Sequence, residues 1–197
     1  MPSLEIQSWL ARLYTEPRML RWFLANRESF SAGMHPESAA FFQALDGTQL
    51  DYFASSLLFK RARDVAKMVP LLERLLESRF RHYFSQFAED AVSTGAHKPL
   101  SDAMAFCDWL CRCDELGRLV REAARYERLR LGLGMKLEQL SSAPDRFRAL
   151  PRRRPVLFLK RFEWGFPCLG DPEDPVPERT TWTLFAKVPG LNGIWYW

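Results

Sequence analysis

The sequence predicts an α+β protein: an N-terminal helical bundle followed by a small antiparallel β-sheet domain. Three observations point there. Apolar residues recur at helical spacing from Leu4 to about residue 140. After Pro151–Pro155 the apolar period shortens to two. Between the two candidate strands lie Pro167, Pro172, Pro175 and Pro177 with Gly165 and Gly170, a composition that excludes helix and strand alike.

The helical elements follow in order. Ser3 is a fitting N-cap for a first helix whose stripe is Leu4, Ile6, Trp9, Leu10 and Leu13. Pro17 suits the first turn of a second helix that carries Leu20, Trp22, Phe23 and Leu24 and ends near Asn26. Residues 31–34 read as a loop. Pro36 opens a short helix through Phe41, Phe42 and Leu45. Asp46-Gly47 breaks the pattern, and Thr48 is the expected cap of the longest helix, reaching about Met68. On it Leu50, Phe53, Ala54, Leu57, Leu58 and Val65 form one broad face, and Lys60, Arg61, Arg63, Asp64 and Lys67 lie mostly on another. Pro70 ends or kinks it. A stripe of Leu71, Leu72, Leu75, Leu76 and Phe80 resumes and runs on through Phe84, Phe87 and Ala88. Ser101 is the expected cap of a helix with Met104, Phe106, Trp109 and Leu110. A last helix starts near Asp114, carries Leu116, Leu119, Val120, Ala123, Ala124 and Tyr126, and weakens at Gly132 and Gly134.

The domain boundary is expected at 143/144, giving a helical domain 1–143 and a β-rich domain 144–197. Val156–Phe162 and Thr181–Val188 are the candidate strands. Residues 165–179 are expected to form a long mobile loop. Pro189-Gly190 and Asn192-Gly193 read as turns, with a third strand from Ile194 to Trp197. So few short strands cannot make a self-sufficient core, so they must pack on helices or extend another sheet. A small sheet with an open edge is also a place where a peptide can add a strand.

The chain has 197 residues, 47% apolar and 26% charged, which excludes a disordered or fibrous protein. Aromatics reach 14%, and four of the 7 tryptophans (Trp164, Trp182, Trp195, Trp197) fall in the last 34 residues, where little core exists to hold them. That excess reads as an interface signal. Glu5, Arg12, Glu16, Arg18 and Arg21 interrupt the first 24 residues, so no secretory h-region is expected, and no apolar run approaches a membrane span of about 20 residues. A cytoplasmic protein is expected. The net charge of +4 is modest, but residues 112–161 hold 14 Lys and Arg against 6 Asp and Glu, a local +8 that leaves −4 for the remainder. Acids at helical spacing, such as Glu122 and Glu127, offset part of that charge. Arg152, Arg153 and Arg154 have no acid nearby and are the sharper candidates for attracting an anionic partner.

No catalytic constellation is present in the sequence: no phosphate-binding glycine loop, no nucleophile elbow. His35, His82 and His97 stand in unrelated contexts. Cys107 and Cys111 share a helix face and read as small buried hydrophobes, since a zinc site needs paired close spacings with distant partners. No metal ligand set and no catalytic residue is therefore assigned.

The segments WLARLYTEPRMLRWFLANRESF, LDYFASSLLFKRARDVAKMVPLLERLL and FRHYFSQFAEDA, followed by RPVLFLKRFEW and TTWTLFAKVPGLNGIWYW, together resemble the TglI/MbnC-like partner subunits of ribosomal-peptide modification, nearest those of 3-thiaglutamate biosynthesis. The resemblance covers most of the chain and rests on overall pattern. It implies a heterodimer with a TIM-barrel oxygenase that carries a multinuclear iron centre and uses O₂ to oxidise a cysteine of a precursor or carrier peptide. In the 3-thiaglutamate case it is a C-terminal cysteine, whose β-carbon is excised. The partner itself holds no cofactor and helps to bind and orient the peptide.

The residues themselves suggest where. A peptide is expected to pair with the edge of Thr181–Val188 or of Val156–Phe162, with Phe158, Lys160, Phe162, Trp182 and Leu184 beside it and Arg152, Arg153 and Arg154 attracting its acids. Trp195, Tyr196 and Trp197 are expected at the heterodimer interface. Two other classes compete: a nucleic-acid-binding regulator using the basic segment 112–161, and a cysteine enzyme using Cys168, whose Pro/Gly-rich surroundings suit an exposed thiol.

Overall fold

The computed structural model describes residues 2–91, 98–141, 156–166, 175–188 and 191–196. Its elements run α1 (Pro2–Thr15), α2 (Pro17–Ala25), α3 (Arg27–Ser31), α4 (Pro36–Ala44), α5 (Gly47–Met68), α6 (Pro70–Leu76), a 3₁₀ turn (Glu77–Arg79), α7 (Phe80–Asp90), α8 (Lys98–Leu110) and α9 (Arg118–Ser141), then β1 (Val156–Phe162), β2 (Thr181–Val188) and β3 (Leu191–Tyr196). The protein is α+β, with the helices first and the antiparallel sheet last.

The chain divides into two compact units that are not consecutive stretches. One comprises residues 1–65 and 78–102, the other 66–77 and 103–197. The change from helix to strand after α9 is thus a change of secondary structure inside the second unit.

The core of the first unit is built around aromatic edges. Leu13, Leu20, Phe23, Phe30, Phe42 and Leu50 are buried together. Phe30 is their hub, with ring centroids 4.8 Å from Phe23, 5.1 Å from Trp9 and 5.2 Å from Phe42, each edge to face. On α7 the buried positions Phe80, Tyr83, Phe84, Phe87 and Ala88 follow the 3.6-residue period. The break before α7 is absent from the sequence pattern, where the leucine stripe runs through. Glu77 closes α6 in a left-handed conformation, φ 48°, and the 3₁₀ turn follows. At the start of α5 the Asp46 carboxylate accepts the amides of Thr48 at 2.8 Å and Gln49 at 3.4 Å, so Asp46, and not Thr48, is the capping side chain.

In the second unit α9 turns Val120, Ala123, Ala124, Glu127 and Leu131 inward. Gly132 lies within this helix, not at its end. α6 and β2 pack on α9. The sheet is antiparallel with order β1-β2-β3. Lys160 pairs with Thr183 and Phe162 with Thr181, while Thr183 pairs with Tyr196. β3 begins at Leu191, three residues before the expected start, and so takes in Asn192-Gly193.

Candidate functional site

Alternation gives the sheet two different faces. Residues directly opposite on neighbouring strands share a face. Phe162, Thr181 and Thr183 lie on one and are buried. Leu159, Arg161, Trp182 and Leu184 lie on the other. Here Leu159 is 55% and Trp182 42% exposed, Arg161 is exposed and Leu184 half-buried. This face thus sets two large apolar side chains, Leu159 and Trp182, beside an exposed arginine.

The buried face fixes the position of β1. The Phe162 ring sits 5.7 Å from Tyr126 of α9 and 5.8 Å from Phe166, edge to face. Just past the strand the amide of Glu163 donates to the buried carboxylate of Glu122 at 2.9 Å, and the Glu163 carboxylate pairs with Arg118. The Gly165 amide then donates to the Pro177 carbonyl at 3.0 Å, tying the exit of β1 to the approach to β2. One end of β1 is therefore held by ring packing and hydrogen bonds to α9 and to the approach to β2.

Two expectations are corrected. β2 is the central strand, hydrogen-bonded on both sides, so Thr181–Val188 has no edge to offer a peptide. The outer strands are β1 and β3, and among the described residues no strand pairs with the outer edge of β1. Phe162 is a core residue, 1% exposed, because its face of the sheet is the one packed on α9; a ligand cannot reach it. Leu159 and Arg161 take its place on the solvent face. Period-two alternation signals both faces but not which one is covered.

The remaining candidates are placed as follows. Trp182 and Leu184 come together on the exposed face, and Lys160 is exposed on β1. Phe158, Trp195 and Tyr196 lie on strands, Phe158 opposite Phe185, Trp195 opposite Leu184 and Tyr196 opposite Thr183. Arg152, Arg153, Arg154, Cys168 and Trp197 lie outside the described residues.

Electrostatics shape the alternatives. In the basic segment Arg118, Arg121, Arg128 and Arg130 pair with Glu163, Asp114, Asp108 and Glu127 respectively, which neutralises much of the charge the described part of that segment carries. Burial pushes the thiols of Cys107, Cys111 and Cys113 up, the opposite of what a nucleophilic thiolate requires. Among the described residues no group of three or more His, Cys, Asp or Glu is placed to hold a metal ion, and no helix is long and apolar enough to cross a membrane.

Residues 32–112 match the SCO6045-like, C-terminal domain family. That stretch runs from the end of α3 to just past α8 and leaves the sheet outside it. No curated protein matches the chain.

Proposed function

We propose that this protein is the non-catalytic subunit of a two-protein peptide-modifying oxygenase. It binds a ribosomally made precursor or carrier peptide and presents the peptide's C-terminal cysteine to a TIM-barrel subunit. That subunit carries the multinuclear iron centre and, using O₂, excises the cysteine β-carbon in 3-thiaglutamate-type biosynthesis. The observation that carries the reading is the outer edge of β1, unpaired among the described residues, beside the exposed Leu159, Arg161 and Trp182. A peptide adding a strand there gains main-chain hydrogen bonds from the edge and side-chain selection from the face. Fixing the peptide in this way raises the local concentration of its cysteine at the iron centre, which accelerates a reaction without this chain supplying any reacting group. The resemblance of the sequence to TglI/MbnC-like partners supports the same reading.

The test is co-expression with a TIM-barrel iron enzyme and a short cysteine-ending peptide encoded beside this gene. Expected are a stable heterodimer, a change in peptide mass only when all three are present, and slowed amide exchange across residues 156–162 when peptide is added. Full modification without this chain rejects the role. Unchanged exchange in β1 at saturating peptide rejects edge pairing.

A further inference from the structure

An amphipathic helix on a globular protein turns its apolar stripe inward and its charges outward. α5 departs from this. Leu50, Ala62 and Val65 are buried, yet Tyr52 is 75%, Phe53 49% and Phe59 43% exposed, and Leu57 also reaches solvent. From Tyr52 to Arg63 this ridge runs for roughly 16 Å at 1.5 Å per residue. Three exposed cations accompany it. Lys60 and Arg63 stand on α5, and the Arg81 guanidinium lies 4.2 Å from the centroid of the Phe59 ring. Among the described residues none of the three pairs with a carboxylate.

Beside the ridge lies a cavity of about 620 Å³, with Leu13, Leu20, Ala54 and Leu58 among its apolar walls and the Arg61–Asp102 ion pair on its lining. Ridge and cavity are one surface. Leu57 and Lys60 belong to both, and Phe53 stacks edge to face on the cavity residue Tyr14 at 4.7 Å.

We propose that this surface docks a folded protein that presents carboxylates around a protruding apolar side chain, and that this partner is the catalytic subunit of the preceding section; the inference rests on that reading. Exposed aromatics and arginine around a pocket are the composition that concentrates binding energy at protein interfaces. The unpaired cations set the sign of the partner's charge. They also argue against a second copy of this chain, because a two-fold contact through the ridge would face Lys60, Arg63 and Arg81 with their own like charges. The side chain that fills the cavity excludes water from around the ridge.

The experiment measures binding of the catalytic subunit to the full chain and to two double variants, Tyr52→Ser with Phe59→Ser, and Lys60→Glu with Arg63→Glu. Each double variant is expected to weaken the complex about tenfold or more. The charge variant also loses most of the salt dependence, and peptide affinity stays at the unaltered value. Should a double variant unfold, Tyr52→Ser and Lys60→Glu singly carry the same test. If the unaltered chain binds the enzyme and the variants bind equally well, the docking surface is wrong and the functional reading stands. If the unaltered chain binds no such enzyme, both fall. A dimer of the free chain, or binding of duplex DNA, that the same substitutions abolish would also overturn the proposal.

Discussion

The carboxylate of Glu127 on α9 accepts the backbone N–H of Leu71, 56 residues earlier in the chain, at 3.0 Å and so caps the start of α6. Pro70 starts α6 without a donor of its own, and Val69 before it has no side-chain acceptor. Glu127 fills that role from across the core and is held by Arg130 at 2.6 Å, whose second nitrogen reaches the carbonyl of Met68. Three segments of the second unit thus meet at one carboxylate that is 1% exposed.

That arrangement gives a pH prediction. Burial pushes the Glu127 carboxyl above its usual range, and Arg130 and the Leu71 amide only partly oppose this. Tyr126, pushed up to about 12, and Cys107, also raised by burial, stay neutral through the same window. A raised folded-state value means that the folded protein holds this proton more tightly than the unfolded chain. Its contribution is complete below the unfolded carboxylate value and is lost as pH rises through the folded one. Stability of the native protein relative to Glu127→Gln is therefore expected to increase as pH falls from 7 toward 5, read as the difference in Tm between the two. A constant or shrinking difference would show that Arg130 outweighs burial. Glu127→Ala, which also strips the cap from Leu71, is expected to cost about 1–3 kcal/mol at neutral pH.

A second buried pair gives a prediction of its own. Arg61 donates to both oxygens of Asp102, at 2.5 and 2.9 Å, and to the carbonyl of Ala91 at 2.9 Å, with its guanidinium over the Phe84 ring. Asp102→Ala leaves Arg61 with its charge largely out of water and is expected to lower stability by about 3–5 kcal/mol, measured by urea unfolding. Replacing both partners, Arg61→Met with Asp102→Leu, is expected to recover much of that loss, since neither charge then needs compensation. If the double variant is as unstable as the single, the packing of the guanidinium and not its charge is what matters.

How far these features could be read in advance differs by kind. The helices follow apolar spacing and proline placement, and Cys107 falls in the core as its helix face suggests. The break at Glu77 left no mark, because leucines and phenylalanines continue at helical spacing on both sides of it. α5 shows why faces are harder than elements. Its pattern places Phe53 and Leu57 with Leu50 and Val65 on the inner face and Arg61 on the polar one, yet Phe53 and Leu57 reach solvent and Arg61 turns in to Asp102. A stripe shows where apolar residues lie, and only a long-range partner, such as an aspartate 41 residues away, decides which flank is covered. In β1 both faces are apolar, Leu157 and Leu159 against Phe158 and Phe162, so alternation alone could not tell the solvent face from the core.

The same division of the sheet predicts that stability and the proposed peptide binding respond to different residues. Phe162→Ala removes a ring packed on Tyr126 and Phe166 and is expected to cost about 3–5 kcal/mol. Leu159→Ala and Trp182→Ala act on the solvent face and are expected to change stability by only about 0.5 kcal/mol while weakening peptide binding, as read by calorimetric titration. A large stability loss at Trp182 with unchanged peptide affinity would assign that face to packing instead.

Thr183 sits at the centre of the buried face, fully covered, between Lys160 on β1 and Tyr196 on β3. Its hydroxyl has no hydrogen-bond partner among the described residues. Leaving such a group dry costs more than the hydroxyl returns, whereas valine keeps the β-branched shape that the strand favours. Thr183→Val is therefore expected to stabilise the protein by about 1 kcal/mol, seen as a higher Tm with the peptide affinity unchanged, because the residue faces away from Leu159 and Trp182. A lower Tm would show that the hydroxyl makes a bond in solution, a second hydroxyl contact on this face beside that of Thr181, whose Oγ1 donates to the Arg179 carbonyl at 3.1 Å.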